Sequence, residues 1–152
     1  MDLYEELLGL RELLRNAGIE YAICGGIAVA FHGYPRFTKD IDLLILPQDL
    51  DRVRKTVENQ GFHIDAGILP FGSGGPYERE IVRITKIAGS ETLTLDLLLV
   101  NAVLQDVWED RQAFEWRGSL VPVVSLDGLA KMKRLAGRDQ DLLDLKKLGV
   151  EP

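Results

Sequence analysis

Cysteine is nearly absent from this chain, and Cys24 is the only one. An internal disulfide is therefore impossible, and a zinc site built from several cysteines is excluded. No apolar run approaches the ~20 residues that a membrane-spanning helix needs. The segment from Met1 to Glu6 also lacks the basic start and apolar core of a signal peptide. We therefore expect a cytoplasmic protein that does not enter a membrane.

Positive charge is also scarce, because 18 Lys and Arg residues face 24 Asp and Glu residues and the net charge is −6. Broad, unspecific binding to nucleic acid depends on many cationic contacts to phosphate and is not expected. A local basic patch beside an acidic site is still compatible with this charge. Two common nucleotide-binding loops are missing as well, the Gly-Lys-Ser/Thr loop and the Gly-x-Gly-x-x-Gly loop.

The chain has 152 residues, of which 46% are hydrophobic and 28% are charged, as in one globular domain with a buried core. Its apolar periodicity predicts helices over residues 2–16, 27–31, 47–60, 102–112, 126–135 and 138–148. The same reading predicts strands over residues 21–24, 39–46, 62–65, 80–88 and 92–100, with two short extended pieces on either side of Gly118.

The order of these elements predicts an α/β (α+β) fold with a mixed sheet and flanking helices. We expect a single domain over 1–152, with a core over about 18–118 and C-terminal helices over about 125–149. Residues 66–78 are rich in glycine and proline and are expected to form a loop.

Two acids interrupt the apolar segment 39–46. Side chains alternate between the faces of a strand, so Asp40 and Asp42 point to one side while Ile41 points to the other. Two carboxylates on one face of a buried strand repel each other and lose solvation, and a bound cation relieves both costs. Oxygen ligands of this kind suit Mg²⁺. When the pair is considered alone, a solvated strand end is the better explanation.

A third acid, Asp96, lies in a run that is apolar except for Thr94. An aspartate in such a run needs a partner. If the two strands are neighbours, Asp96 joins the first two carboxylates, as in two-metal phosphoryl-transfer sites. The alternative is a structural ion pair with Arg79 or Arg83.

Gly25 and Gly26 follow a predicted strand and open a predicted helix. Glycines at such a turn let the backbone approach a phosphate, near the free N–H groups at the start of the helix. A plain turn is the competing interpretation.

Together these segments resemble the nucleotidyltransferase superfamily. Gly25-Gly26, the block from Arg36 to Asp42 and Leu95-Asp96-Leu97 match its glycine turn, its paired-acid strand and its third acid. The form Gly-Gly-x-Ala followed by His-Gly-x-x-Arg-x-Thr-x-Asp-Ile-Asp is similar to small prokaryotic members, which include the AbiEii-type toxins and the minimal nucleotidyltransferases. The C-terminal segment with Lys131, Lys133 and 137–144 also looks like the end of such proteins.

The resemblance implies a nucleotidyltransferase-like fold and a metal-dependent reaction. A nucleoside triphosphate such as ATP would bind with its phosphates at Gly25 and Gly26, and its nucleoside monophosphate would pass to an acceptor hydroxyl. Asp40 and Asp42 would hold Mg²⁺ or Mn²⁺, and Asp96 would hold one metal and accept the proton of the acceptor. The remaining nucleotide contacts that the resemblance implies are Arg36, Thr38, Lys39, Lys131 and Lys133.

The acceptor that follows from the resemblance is a tRNA, a protein or a small molecule. The chain is then an enzyme that transfers a nucleotide. A second hypothesis makes it the toxin of a toxin–antitoxin pair that uses the same chemistry on a tRNA or a protein, with an antitoxin or a second copy as its partner. A catalytically silent nucleotide-binding or protein-interaction module on the same fold is the alternative.

Overall fold

A mixed, seven-stranded β-sheet lies at the centre of the structure, a computed structural model that describes residues 1–152. Its strands are β1 (Ala22–Cys24), β2 (Asp40–Ile45), β3 (Ile64–Phe71), β4 (Arg79–Ala88), β5 (Glu91–Leu99), β6 (Gln112–Trp116) and β7 (Ser119–Val123). They are arranged in the order β3-β4-β5-β2-β1-β7-β6. The pairs β2–β5 and β1–β7 are parallel, and the other neighbouring pairs are antiparallel. The predicted α/β class with a mixed sheet is confirmed.

Six helices flank the sheet: α1 (Leu3–Asn16), α2 (Gly25–Phe31), α3 (Leu50–Glu58), α4 (Gln105–Glu109), α5 (Leu126–Ala136) and α6 (Asp139–Lys147). The side chain of Asp2 caps α1, whose buried face includes Leu7, Leu10 and Leu14. Ser125 caps α5 by accepting a hydrogen bond from the N–H of Gly128. No helix is both long and apolar enough to cross a membrane.

The central strands β2 and β5 are covered on both faces. Leu43 and Leu44 of β2 and Leu95 and Leu97 of β5 are completely buried. Burial of one such side chain favours folding by roughly 1.5–3 kcal/mol. This doubly buried position explains why both segments are almost continuously apolar, and it makes their acids exceptional.

The predicted loop over 66–78 is partly wrong, because β3 continues to Phe71 and only the remainder is a loop. β3 lies at the edge of the sheet, so most of its side chains are exposed and no apolar alternation marks it. Its pairing with β4 is irregular between Asp65 and Ile68, around Gly67. An edge position also tolerates Pro70, which cannot donate a backbone hydrogen bond.

The helix predicted over 102–112 is also too long. Only α4 is helical, and the chain passes into β6 at Gln112. The two extended pieces on either side of Gly118 are separate strands that form the antiparallel hairpin β6–β7. The helix predicted over 47–60 begins as a 3-10 turn at Pro47–Asp49 before α3.

Candidate active site

Three aspartates lie on one face of the two central strands. β2 and β5 are parallel neighbours, as the three-acid hypothesis requires, and their register places Asp42 directly beside Asp96. Neighbouring strands lie ~4.8 Å apart. Asp40 lies two residues before Asp42 and therefore points to the same face. Residues separated by more than fifty positions in the sequence thus come together at one place.

Burial and the repulsion between neighbouring carboxylates raise the pKa of two of these three acids. Desolvation, followed by the negative charges of Asp96 and Asp40, raises the pKa of Asp42 to about 7. Desolvation and the charge of Asp96 also raise the pKa of Asp40 above its ordinary value. The cluster therefore has an unfavourable excess of negative charge, which a cation would relieve.

The glycine turn lies against these acids. Cys24, the last residue of β1, is paired with Asp42, so Gly25 follows directly beside that carboxylate. Gly25 has φ +65°, and a Cβ built there would lie 2.1 Å from Oδ2 of Asp42. Only glycine meets both conditions without strain. Burial raises the pKa of the Cys24 thiol well above its usual range, so this neighbour stays neutral.

The segment before β2 lies over Gly26. A Cβ at Gly26 would lie 2.7 Å from Oγ1 of Thr38 and 3.1 Å from Nη2 of Arg36. Lys39 is exposed at the edge of the same cleft. The predicted phosphate contacts of this segment and the glycine turn are therefore brought together.

Asp96 forms an ion pair with Arg83, which was the structural alternative to a metal-binding role for this acid. It lies opposite Asp96 in the β4–β5 pair. Its Nε and Nη2 donate to the two carboxylate oxygens at 2.8 and 3.0 Å. A carboxylate oxygen has more than one lone pair, so this bidentate pair leaves Asp96 able to bind a further cation.

A buried charge network closes the cleft from the C-terminal helices. Nζ of Lys133 lies 2.9 Å from Asp144 and 3.3 Å from Asp141. Nη2 of Arg36 donates to Asp144 at 3.1 Å, and Nε of Arg138 donates to Asp141 at 2.8 Å. Burial would raise the pKa of Asp141, but the hydrogen bond from Arg138 and the charge of Lys133 outweigh it and keep the pKa below its ordinary value.

These groups line one cleft with two lobes. The polar lobe, of about 590 Å³, is lined by Gly26, Arg36, Thr38, Lys39 and Asp40. The apolar lobe, of about 360 Å³, is lined by Phe71, Tyr77, Arg79, Leu98, Met132 and Ala136. The two lobes meet at residues that line both, namely Gly25, Asp42, Arg83, Asp96, Lys133, Arg138 and Asp141.

Lys131 is the one predicted nucleotide contact that the structure does not bring to this cleft. Its ammonium pairs with Asp106 at 2.8 Å and donates to the carbonyl of Val103 at 2.6 Å. Residues two apart on a helix differ in direction by about 200°, so Lys131 and Lys133 cannot face the same site. The helical period of α5 could therefore have separated the two lysines.

Sequence reasoning did not propose Tyr77, Arg79, Arg138 or Gln140 as cleft residues, although all four line it. Tyr77 and Arg79 lie at the end of the loop after β3 and the start of β4, where no motif marks them. Arg138 and Gln140 belong to the C-terminal segment that matched the family pattern, and this match was the available signal.

The acids of the cleft offer the type of donor atom that a hard divalent cation prefers. Asp40, Asp42 and Asp96 offer only oxygen ligands, and the raised pKa of Asp42 marks an unmet need for positive charge. No three acidic, histidine or cysteine side chains are close enough to surround one ion in this arrangement. Asp96 instead directs both oxygens to Arg83.

Known structures share this fold. A Thermotoga maritima protein described as a candidate nucleotidyltransferase aligns with a TM-score of 0.60 and 17% identity, over 97% of this chain and 94% of that one. The antibiotic-resistance factor ANT(2'')-Ia aligns with a TM-score of 0.62 and 15% identity, over 97% of this chain and 84% of that one. A crystal structure of ANT(2'')-Ia in complex with adenylyl-2''-tobramycin aligns with a TM-score of 0.56 and 14% identity, over 95% of this chain and 87% of that one. No curated protein matches the chain in sequence.

The sheet with its glycine turn and strand-borne acids is therefore of the nucleotidyltransferase class of α/β folds. Within that class, the family described as "uncharacterised nucleotidyltransferase" matches residues 1–129, and the chain belongs to this family. The match spans both acidic strands and the glycine turn. The narrower AbiEii-type resemblance finds no support in these similarities.

Proposed function

We propose that this protein is a metal-dependent nucleotidyltransferase, which transfers a nucleoside monophosphate from a nucleoside triphosphate to an acceptor hydroxyl. One observation carries the proposal. The parallel pairing of β2 with β5 sets Asp96 beside Asp42, with Asp40 on the same face and the Gly25 turn against them. An isolated surface acidic patch would not need acids inside two buried strands.

The polar lobe suits the triphosphate. Arg36, Lys39 and Lys133 line it and supply positive charge for the β- and γ-phosphates. Arg36 and Lys133 are both held by Asp144, so their positions are set before a ligand arrives. Gly26 lets the side chains of Thr38 and Arg36 pack closely against the backbone at the same place.

Asp40, Asp42 and Asp96 would hold Mg²⁺ or Mn²⁺. When bound, such ions offset the negative charge that develops on the reacting phosphate and on the leaving oxygen. Asp96 is the one acid of the three that pairs with a cationic side chain, and we assign to it the role of accepting the proton of the acceptor.

The chemical step follows from these positions. The acceptor oxygen forms a bond to the α-phosphorus and gives its proton to Asp96, and the bond from the α-phosphorus to the bridging oxygen breaks. Pyrophosphate leaves with the bonding electrons into the polar lobe, where Arg36, Lys39 and Lys133 stabilise its charge.

The reaction can be tested by following which phosphate of the triphosphate is transferred to the acceptor. The purified protein would be incubated with Mg²⁺ or Mn²⁺ and each of the four triphosphates labelled at the α- or γ-phosphate, together with fractionated cell extract. Transfer of the α-label but not the γ-label to RNA, protein or small molecules supports the proposal and names the acceptor. Transfer of the γ-label, or label transfer that persists in Asp42→Asn, contradicts it.

The Arg83–Asp96 pair favours a second candidate, a silent nucleotide-binding or interaction module, because it gives the third carboxylate a structural partner without any metal. Metal-dependent nucleotide binding without any α-label transfer to extract would identify that module. A toxin role, with an antitoxin or a second copy as its partner, rests on the family resemblance alone. Labelled tRNA or protein in the same experiment would favour it.

A further inference from the structure

The two lobes lie on opposite sides of the reacting centre. Along β2 and β5, Asp40 marks the side of the polar lobe, Asp42 and Asp96 lie in the middle, and Leu98 follows on the other side. Leu98 is paired with Ile81 of β4, and both line the apolar lobe. In phosphoryl transfer the attacking and leaving oxygens are roughly in line. With pyrophosphate leaving into the polar lobe, the acceptor must therefore enter from the apolar lobe.

The apolar lobe has the walls of a site for a flat ring. Tyr77 and Met132 are 6% and 7% exposed and are fixed by the core, and Phe71 completes the wall from the edge strand. Ala136, in the last turn of α5, leaves space where a larger side chain would fill the lobe. Its volume of about 360 Å³ holds a compact small molecule.

All charged groups of the lobe are paired within the protein except Asp42 and Arg79. Asp96 is paired with Arg83, and Asp141 is paired with Arg138 and Lys133. Asp42 faces the proposed metal site.

Arg79 is the unpaired positive charge of the lobe, because it makes no ion pair with any acid. It stacks on the ring of Tyr77 at 4.1 Å and donates once, to the carbonyl of Tyr77 at 3.0 Å. Its other N–H groups are available to an anion.

We propose that the apolar lobe is the acceptor site, and that it takes a hydroxyl compound with a flat apolar body and an anionic group that faces Arg79. This inference rests on the proposed function and adds the class of acceptor to it. An aminoglycoside fits less well, because the one unpaired acid of the lobe, Asp42, is assigned to the metal site and the other acids are already paired. This chain thus differs in acceptor from ANT(2'')-Ia, whose crystal structure contains adenylyl-2''-tobramycin. A nucleobase also fits less well, since it has no negative charge for Arg79.

Three phenols of similar size and different charge test the inference, namely 4-hydroxyphenylacetate, tyrosol and tyramine. Their binding to the full chain would be measured by ligand-observed NMR, with Mg²⁺ and a non-hydrolysable analogue of the triphosphate that binds best. We expect 4-hydroxyphenylacetate to bind at least about tenfold more tightly than tyramine, with neutral tyrosol between them. Tobramycin should not compete with any of them.

Two variants and one control test whether the phenols bind in the apolar lobe and whether Arg79 causes the preference for the anion. Arg79→Gln should abolish the preference for the anion while tyrosol still binds. Ala136→Leu should weaken all three phenols and leave nucleotide affinity unchanged. Arg134→Gln, an exposed arginine of α5 that donates to the carbonyl of Glu151 outside the lobe, should change nothing.

Several outcomes would overturn the inference: tyramine or tobramycin binding as tightly as the anion, no phenol binding to a protein that binds nucleotide normally, or displacement of the phenols by nucleotide. The last would assign the lobe to the nucleobase. Absence of nucleotide binding with either metal would instead refute the proposed function, and the order of the three phenols would still decide the charge that the lobe prefers.

Discussion

Replacing Asp42 with asparagine should stabilise the metal-free protein, and most strongly at alkaline pH. The pKa of this carboxyl is raised from 3.8 to about 7, chiefly by burial. The protonated form therefore favours the folded state. This contribution is complete below pH 4 and is lost as the pH rises through 7. Above pH 7 the wild type carries the full cost of an ionised Asp42, and the variant does not.

The size of the effect follows from the same values. A tenfold change in a proton-binding constant corresponds to about 1.4 kcal/mol, so the ionised carboxylate costs up to about 4 kcal/mol at pH 8 and about 2 kcal/mol at pH 5. Solvent that reaches a half-buried group reduces both figures. We therefore expect Asp42→Asn to raise the free energy of unfolding by about 2 kcal/mol more at pH 8 than at pH 5.

Urea denaturation in EDTA at the two pH values measures this difference. Asp51→Asn, at an acid whose side chain is 91% exposed, is the matched control and should change stability by less than about 0.5 kcal/mol. Saturating Mg²⁺ should stabilise the wild type but not the variant, since only the wild type has the ligand. A variant that is less stable than the wild type at pH 8 in EDTA would refute the reasoning.

Three further results are expected. Metal affinity, measured by calorimetry with Mn²⁺, should fall about tenfold per pH unit below pH 7 and level off above it, because binding must displace the proton of Asp42; a flat profile would contradict this. Gly25→Ala should abolish metal-dependent nucleotide binding, because its Cβ would lie 2.1 Å from Oδ2 of Asp42. Gly118→Ala is the control, since Gly118 has a similar φ of +79° and nothing within 4 Å, and it should only lower the free energy of unfolding by about 1–2 kcal/mol in denaturation. Equal effects of the two substitutions would show that the backbone angle alone matters. Arg83→Gln should tighten Mn²⁺ binding by roughly threefold to tenfold, or about 1 kcal/mol, since it removes a competing charge from Asp96; weaker binding would show that Arg83 positions the carboxylate instead.

The elements of the candidate site could be predicted where their local pattern is strong. Asp40 and Asp42 interrupt an apolar strand with a period of two, and this alternation alone sets their common face. The placement of Asp96 beside them could only be hypothesised, because it depends on a parallel pairing between distant segments. The resemblance to a family made that pairing the natural expectation.

The parts that escaped prediction depend on tertiary surroundings. β3 is an exposed edge strand, so its residues have no buried face to produce a periodic pattern. From the sequence, Lys133 is predicted to lie on a solvent-exposed face of its helix. It is only 6% exposed, because its ammonium pairs with Asp141 and Asp144 of the next helix. Arg79 lies in the cleft through the pairing of β3 with β4, and it lines the apolar lobe together with residues of α5 that are distant in the sequence.

The most direct test of the metal-dependent nucleotide site is a calorimetric titration of the wild type and Asp42→Asn with ATP, GTP, CTP and UTP, each with Mg²⁺, with Mn²⁺ and in EDTA. We predict that at least one triphosphate binds the wild type with metal, that EDTA removes this binding, and that Asp42→Asn lacks it while Asp51→Asn retains it. Equal binding by the wild type and Asp42→Asn, or binding that EDTA leaves unchanged, would contradict the assignment of Asp40, Asp42 and Asp96 as the metal site.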